Sequence, residues 1–339
     1  MTRKTVRTEG RSMRVLVTGG AGYIGSVAVA KLLAHGYEVV ALDNLLRGHA
    51  AAISAGAEFV RCDLRDADAT REAVKHSGCE AILHFAALHL VPESVDQPAE
   101  YYRTNVVGGI NLLDAVRYAE IRKFVFSSTA AVYGEPEQLP ILETSPTLPI
   151  NPYGASKLMV ERILTDYAAV YGINYAIFRY FNVAGAMGDL GEDHRPETHV
   201  IPVAVEALTG KRPAFTVFGT DYATNDGTAI RDYVHVVDLV DAHILALEAL
   251  DQPLGVFNLG TTNGFSVSKI IEAVELTTDR QLPYVTGPRR PGDPPALIAD
   301  STRARVILEW NPVNSTLDAM IGSHWDWVNA HPNGYDDKS

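Results

Sequence analysis

The sequence predicts an α/β protein: a doubly wound parallel sheet with a smaller C-terminal lobe. Three observations predict it. Short apolar runs alternate with helically spaced stretches through the first half of the chain. A glycine cluster stands where the first run gives way to the first helix. The rhythm then breaks after Phe181, where Gly, Pro, Asp and Thr crowd into residues 182–235.

The elements follow in order. MRVLVTG (13–19) is a buried strand ending in glycines, and SVAVAKLLAHG (26–36) is a helix with a glycine stop. YEVVALD (37–43), EFVRCDL (58–64), EAILHFA (80–86), KFVFSST (123–129) and NYAIFRY (174–180) are further strands. NVVGGINLLDAVRYAE (105–120) and SKLMVERILTDYAAVYG (156–172) are helices between them. Beyond the break, 238–250, 266–279 and 316–332 have helical spacing, and VFNLG (256–260) is a strand able to return to the sheet.

The bulk numbers narrow the function. A chain of 339 residues with 47% hydrophobic and 21% charged residues can bury a large core. A net charge of −12 disfavours nucleic acid and anionic membranes as partners. No run approaches the ~18 apolar residues of a membrane span. Two cysteines, Cys62 and Cys79, make no disulfide framework and read as reduced, cytoplasmic thiols. Residues 1–12 are basic and polar, without the apolar core of a secretory signal, and are expected to form a disordered arm.

VTGGAGYIG holds Gly19, Gly20, Gly22 and Gly25. Gly20, Gly22 and Gly25 spell G-x-G-x-x-G, and Gly19, Gly22 and Gly25 spell a looser repeat of three. Either lets backbone N–H groups and a helix dipole approach a pyrophosphate. Asp43 ends the next strand, where a carboxylate accepts the adenosine ribose hydroxyls and repels a 2′-phosphate. The pattern therefore predicts NAD. Asp63, ending the third strand, reaches toward adenine or caps the next helix.

Tyr153 and Lys157 lie four apart, on one face of a helix entered through Asn151-Pro152. Alone the pair is weak. A tyrosine working as a base near neutrality must drop about 3 units from its usual pKa of about 10, or about 4 kcal/mol. A unit positive charge at ~5 Å and an effective dielectric of ~20 supplies about 3 kcal/mol.

The blocks VTGGAGYIGS, ALDNL, HFAALHLVPESV, FSSTAAVYG, INPYGASKLMVE, RYFNVAGA, GEDH, RDYVHVVDLVDAH, FNLGTTNGFS and RRPGDP run in order from about residue 13 to 333. Together they resemble the extended short-chain dehydrogenase/reductase family, and within it the nucleotide-sugar 4-epimerases. The resemblance implies a Rossmann-type NAD-binding domain over 13–181, with segments near 235–260 returning to it. It also implies a mainly UDP-sugar-binding lobe over 182–333, and a frayed tail at 334–339. It implies that Tyr153 takes the proton of the sugar 4-hydroxyl, that Lys157 holds the nicotinamide ribose and depresses the Tyr153 pKa, and that Thr129 bonds the 4-oxygen. The implied cofactor contacts are Gly19, Gly22, Tyr23, Ile24, Gly25, Asp43, Asn44, Asp63, Leu64, Phe85, Ala86, Ala87, Asn105, Lys157 and Tyr180. The implied substrate contacts, besides Thr129 and Tyr153, are Asn182, His199, Val200, Phe218, Arg231, Arg290 and Asp293. The implied substrates are UDP-glucose and UDP-galactose, interconverted through a 4-keto sugar with NAD staying bound. A homodimer through the helices beside the active-site helix is also implied.

Departures matter too. Ala130-Ala131 replaces the Asp-Glu pair of the related dehydratases, and neither side chain can transfer a proton. His89 stands where some family members carry a lysine near the cofactor, so its charge is expected to depend on pH. Leu297 stands at the position that gates the sugar 2-substituent, and leucine is intermediate in size. Other UDP-sugars (N-acetylated, or the xylose/arabinose pair) and a non-catalytic NAD sensor stay open as alternatives. His194 and His199 lie in a loop without an evident third ligand, so no metal is expected. Trp325 and Trp327 read as packing residues.

Overall fold

The computed structural model describes residues 12–290 and 294–335. Most of the expected arm, the end of the expected tail and Asp293 lie outside that range. Six strands form in the first half: β1 Arg14–Thr18, β2 Glu38–Asp43, β3 Glu58–Arg61, β4 Ala81–His84, β5 Lys123–Ser127 and β6 Asn174–Tyr180. With Gly255–Leu259 they make one sheet, in the order Gly255–Leu259, β6, β5, β4, β1, β2, β3. Every pairing is parallel. The stretch expected near 256–260 thus returns to the sheet, on the outer edge of β6.

Such a sheet must be covered on both faces. One face packs against helices Tyr23–Ala34 and Val236–Ala249, around Val27, Leu32, Leu239 and Leu247. The other packs against Ala67–Ser77, Gly108–Tyr118 and Pro152–Tyr171, around Val74, Leu112, Val160 and Leu164. The order reverses between β1 and β4, and there the strand ends open into a crevice.

Differences from expectation are local. The first helix starts at Tyr23, directly on the glycine turn, and not at 26. The helix over 105–120 opens with a π-turn, Tyr102–Val107. The stretch 182–235 is more ordered than its composition suggests. It holds the helix Val200–Leu208 and short strands at Asn182–Ala184, Phe215–Phe218, Ile230–Arg231 and Tyr233–His235. Those strands pair with distant segments, Asn182–Ala184 with Tyr233–His235 and Phe215–Phe218 with Tyr284–Gly287, so no local run reveals them. The expected fraying at 334 does not reach Tyr335. Its ring is buried and its hydroxyl donates to Gly191 O at 3.2 Å and accepts from Gly191 N at 2.9 Å. No helix among the described residues is long and apolar enough to cross a membrane.

Candidate active site

A cavity of about 800 Å³ occupies the crevice at the strand ends, inside the ~300–1,000 Å³ typical of ligand pockets. Its floor is the glycine turn. Gly19 has φ +73°, and a Cβ there would stand 2.7 Å from Ala86 N. A Cβ on Gly25 would lie 1.9 Å from Gly19 O. Gly19, Gly22 and Gly25 line the cavity, whereas Gly20 packs on Ala41 of β2. The looser glycine spacing is therefore the one that faces the ligand. The helix Tyr23–Ala34 has no side-chain cap and no acid in its first turn, so its leading N–H groups are left for an anion.

Asp43 ends β2, buried at the cavity wall. Its carboxylate accepts from Ala21 N at 3.1 Å and Leu45 N at 2.8 Å. Burial raises its pKa while those N–H groups pull it back. Asp63 lines the cavity and accepts from Asn44 Nδ2 at 3.1 Å and from Arg65, which holds its pKa down at about 2. The cap of helix Ala67–Ser77 is Asp66 and not Asp63, since Asp66 Oδ1 accepts from Asp68 N and Ala69 N. Tyr23, Ile24, Leu64, Phe85, Ala86, Ala87 and Tyr180 also line the cavity.

Asn105 does not line it. Its side chain bonds Leu88 N at 2.9 Å, Leu88 O at 3.0 Å and Ser156 Oγ at 2.9 Å. It braces the loop after β4 against the helix Pro152–Tyr171. Both polar atoms of its side chain take part in that brace, which gives Asn105 a positioning role.

Asn151 caps that helix through Gly154 N at 2.8 Å, with Pro152 in the first turn. Tyr153, Lys157 and Glu161 then follow at helical spacing along one face. Lys157 is buried and donates to Ser127 O at 2.7 Å, its ammonium 4.9 Å from the Phe126 ring centroid. Burial lowers its pKa to about 7, with Glu161 pulling upward. Tyr153 lies half-buried on the cavity wall beside Thr129. Burial raises its pKa to about 12, and the Thr129 hydroxyl pulls it down. The expected depression by Lys157 is not a feature of the protein's own groups, because that ammonium is turned to the end of β5. Glu161, not marked in the sequence, receives Ser128 Oγ and both ends of Arg179, at 2.6 Å to Nη2. It ties the helix face that carries Tyr153 and Lys157 to the end of β5 and to β6.

On the opposite wall Asn182 donates to Asp232 O at 2.9 Å. Asn182, His199, Arg231 and Arg290 line the cavity. Arg290 lies over the Phe218 ring at 4.2 Å, so Phe218 supports the arginine from outside the lining. Val200 is the first residue of helix Val200–Leu208 and is likewise not on the lining. Leu297 lines the cavity, and Ala130 and Ala131 do as well. Trp327 packs on Tyr335 and donates to Asp189 O at 3.1 Å, away from the cavity. Burial, with His194 and His199 nearby, lowers the His89 pKa well below its ordinary value, which moves its expected pH dependence toward acid.

Three features escaped the sequence. Asp232 is fully buried and accepts from Thr261 N at 2.7 Å, Thr261 Oγ1 at 2.7 Å and Ala299 N at 3.0 Å, joining the strands around Arg231. Arg47, on the cavity lining, pairs with Glu93. Glu192 and Glu197 stand beside His194 and His199. For these glutamates a signal was present, in the spacing E-x-H-x-x-E-x-H within GEDHRPETH.

The NAD dependent epimerase/dehydratase family model matches residues 15–260. The chain belongs to the NAD dependent epimerase/dehydratase family. It is 48% identical over 331 residues to a UDP-glucose 4-epimerase of Lacticaseibacillus casei, covering 96% of this chain and 100% of that one. A UDP-glucose 4-epimerase structure from Brucella ovis in complex with NAD matches at TM-score 0.90 and 45% identity, over 93% of this chain and 98% of that one. One from Bifidobacterium longum in complex with NAD+ and UDP matches at TM-score 0.90 and 37% identity, over 95% and 100%. As in that family, the cofactor is NAD. The glycine turn that no Cβ can enter, the uncapped helix start and the carboxylate of Asp43 fit such a dinucleotide.

Proposed function

We propose that the chain acts as a UDP-glucose 4-epimerase, interconverting UDP-galactose and UDP-glucose. The observation that carries this reading is the shared cavity: Tyr153, Lys157 and Thr129 line the same space as the glycine turn and as Arg231 and Arg290. Gly19, Gly22, Tyr23, Ile24 and Gly25 would hold the pyrophosphate end of NAD, Asp43 and Asn44 a ribose, and Asp63 and Leu64 the adenine side. Lys157 and Tyr180 would hold the nicotinamide end. Bound NAD supplies a hydride acceptor and donor for C4 of the sugar.

The protein's own groups manage the proton. Tyr153 Oη takes the proton of the 4-hydroxyl and gives it back, and Thr129 Oγ1 orients the 4-oxygen. Lys157 lies on the same helix face, one turn from Tyr153, and would hold the nicotinamide ribose. Arg231 and Arg290 suit the diphosphate as bidentate donors, Phe218 backing Arg290. Asn182 and His199 extend that wall. Without an acid at Ala130 or Ala131, elimination chemistry has no proton donor there.

Homodimer formation fits exposed apolar side chains on the two neighbouring helical segments: Val107, Tyr118, Met159 and Val170. The cytoplasm suits the free thiols of Cys62 and Cys79. The deciding experiment supplies UDP-galactose to purified protein with no added NAD. Formation of UDP-glucose is expected; its absence from protein shown to contain NAD contradicts the reading and favours a non-catalytic sensor.

A further inference from the structure

At the rim of the cavity, Glu192, His194, Glu197 and His199 bring one donor atom each to within 4.8 Å of one another, the only such group among the described residues. The four come from one short loop, with spacing two, three and two. His194 Nδ1 lies 2.9 Å from Glu192 Oε1 and 3.9 Å from Glu197 Oε2. His199 Nδ1 lies 2.8 Å from Glu192 Oε1 and 2.9 Å from Glu197 Oε1.

A plain set of hydrogen-bonded ion pairs would align each ring N–H with a carboxylate. Only the His199–Glu197 contact is so aligned. His194 Nδ1 is buried without a hydrogen bond despite its nearness to Glu192, so the ring nitrogen is not aimed at that oxygen. Glu192 Oε2 has no partner either, on a side chain only 2% exposed. Buried polar atoms left this way are costly unless something else satisfies them. Glu197 Oε1 is bonded, to His199 Nδ1 and to Thr198 N and His199 N, but a shared central ion would satisfy the two atoms left over, Glu192 Oε2 and His194 Nδ1. Four ligands around a tetrahedral zinc, at about 2.0–2.1 Å each, stand about 3.3 Å apart, within the span observed here.

We infer that Glu192, His194, Glu197 and His199 form a binding site for one divalent transition-metal ion of the zinc class. Two imidazoles and two carboxylates suit Zn2+ and its first-row neighbours and not Mg2+, which favours all-oxygen octahedral sites. The loop is held from behind. Gly191 packs so tightly on the Trp327 ring that a Cβ would stand 2.3 Å from it. Its N–H donates to Tyr335 Oη, and His49 reaches Asp193 O at 2.9 Å. The ligands thus sit on a framed loop. Glu192, His194 and His199 also line the cavity, so the ion faces it.

The inference does not rest on the nucleotide-sugar reading, and its test uses no substrate. Untagged full-length protein is stripped with EDTA and titrated with Co2+, then with Zn2+. One equivalent of Co2+ is expected to bind with the intense visible bands of a four-coordinate site, and Zn2+ to displace it. Glu192→Gln and His194→Asn should each weaken Co2+ binding by more than about tenfold. An exposed control, His76→Asn, should leave it unchanged. Circular dichroism and retained NAD report folding of each variant. Absence of a one-equivalent endpoint in the wild type overturns the proposal whether or not the variants fold. Equally tight binding by folded variants does the same.

Discussion

In the proposed reaction Tyr153 is the base, and its surroundings set a demanding requirement. The protein's own groups raise it to about 12. Half-ionisation near pH 7 therefore needs about 5 units, or about 7 kcal/mol, and not the smaller shift that an exposed tyrosine implies. One positive charge at ~5 Å supplies about 3 kcal/mol, and Lys157 is turned to Ser127 O, so the shift has to arise on cofactor binding. Tyr153→Phe should retain NAD and lose about a hundred- to ten-thousandfold in kcat, measured by UDP-galactose turnover. Leu297 makes a second residue-scale prediction. It lines the cavity, at the position that the resemblance ties to the sugar 2-substituent. UDP-galactose should be turned over faster than UDP-GalNAc; equal rates would contradict the gating role.

At the scale of elements, two handovers position the site. The turn from β1 into helix Tyr23–Ala34 has no room for a Cβ at Gly19, Gly20 or Gly25, so Gly25→Ala should dislodge Gly19 O. The purified variant should contain far less NAD than wild type, read by absorbance of the cofactor released on denaturation. The turn into helix Pro152–Tyr171 depends on the Asn151 cap, worth about 1 kcal/mol. Both handovers were legible, because each is local: a strand, a few marked residues, then a helix. Asn105 shows the opposite case. Its partners Leu88 and Ser156 are 17 and 51 residues away, and only the folded sheet brings them to it. Asp232, Glu161 with Arg179, and the paired short strands beyond Phe181 went unread for the same reason. Their meaning is made by long-range contact. The Glu192–His199 loop differs, since its spacing was visible but the inward turn of its side chains was not.

Across the whole molecule, buried histidines link stability to pH. His84, His243 and His324 are buried, and burial lowers their pKa to about 3, 4 and 4. The unfolded chain binds their protons from about pH 6.5 downward, while the folded chain stays neutral. Their contribution is therefore complete above pH 6.5 and is lost as pH falls toward 4, and toward 3 for His84. Urea unfolding should show several kcal/mol less stability at pH 4.5 than at pH 7.5. His243→Leu, at a ring packed between Phe85 and Phe178, should flatten part of that slope.

The same whole-molecule logic joins the two halves of the cavity: sheet and helix bring the phenol of Tyr153, and distant segments bring Arg231 and Arg290. The most direct test is a tyrosinate titration by ultraviolet difference absorbance, on protein with NAD bound and on Tyr153→Phe. The account predicts one tyrosine ionising with a midpoint near neutrality in the wild type, absent from the variant. A wild-type protein in which no tyrosine ionises below about pH 10 would contradict it.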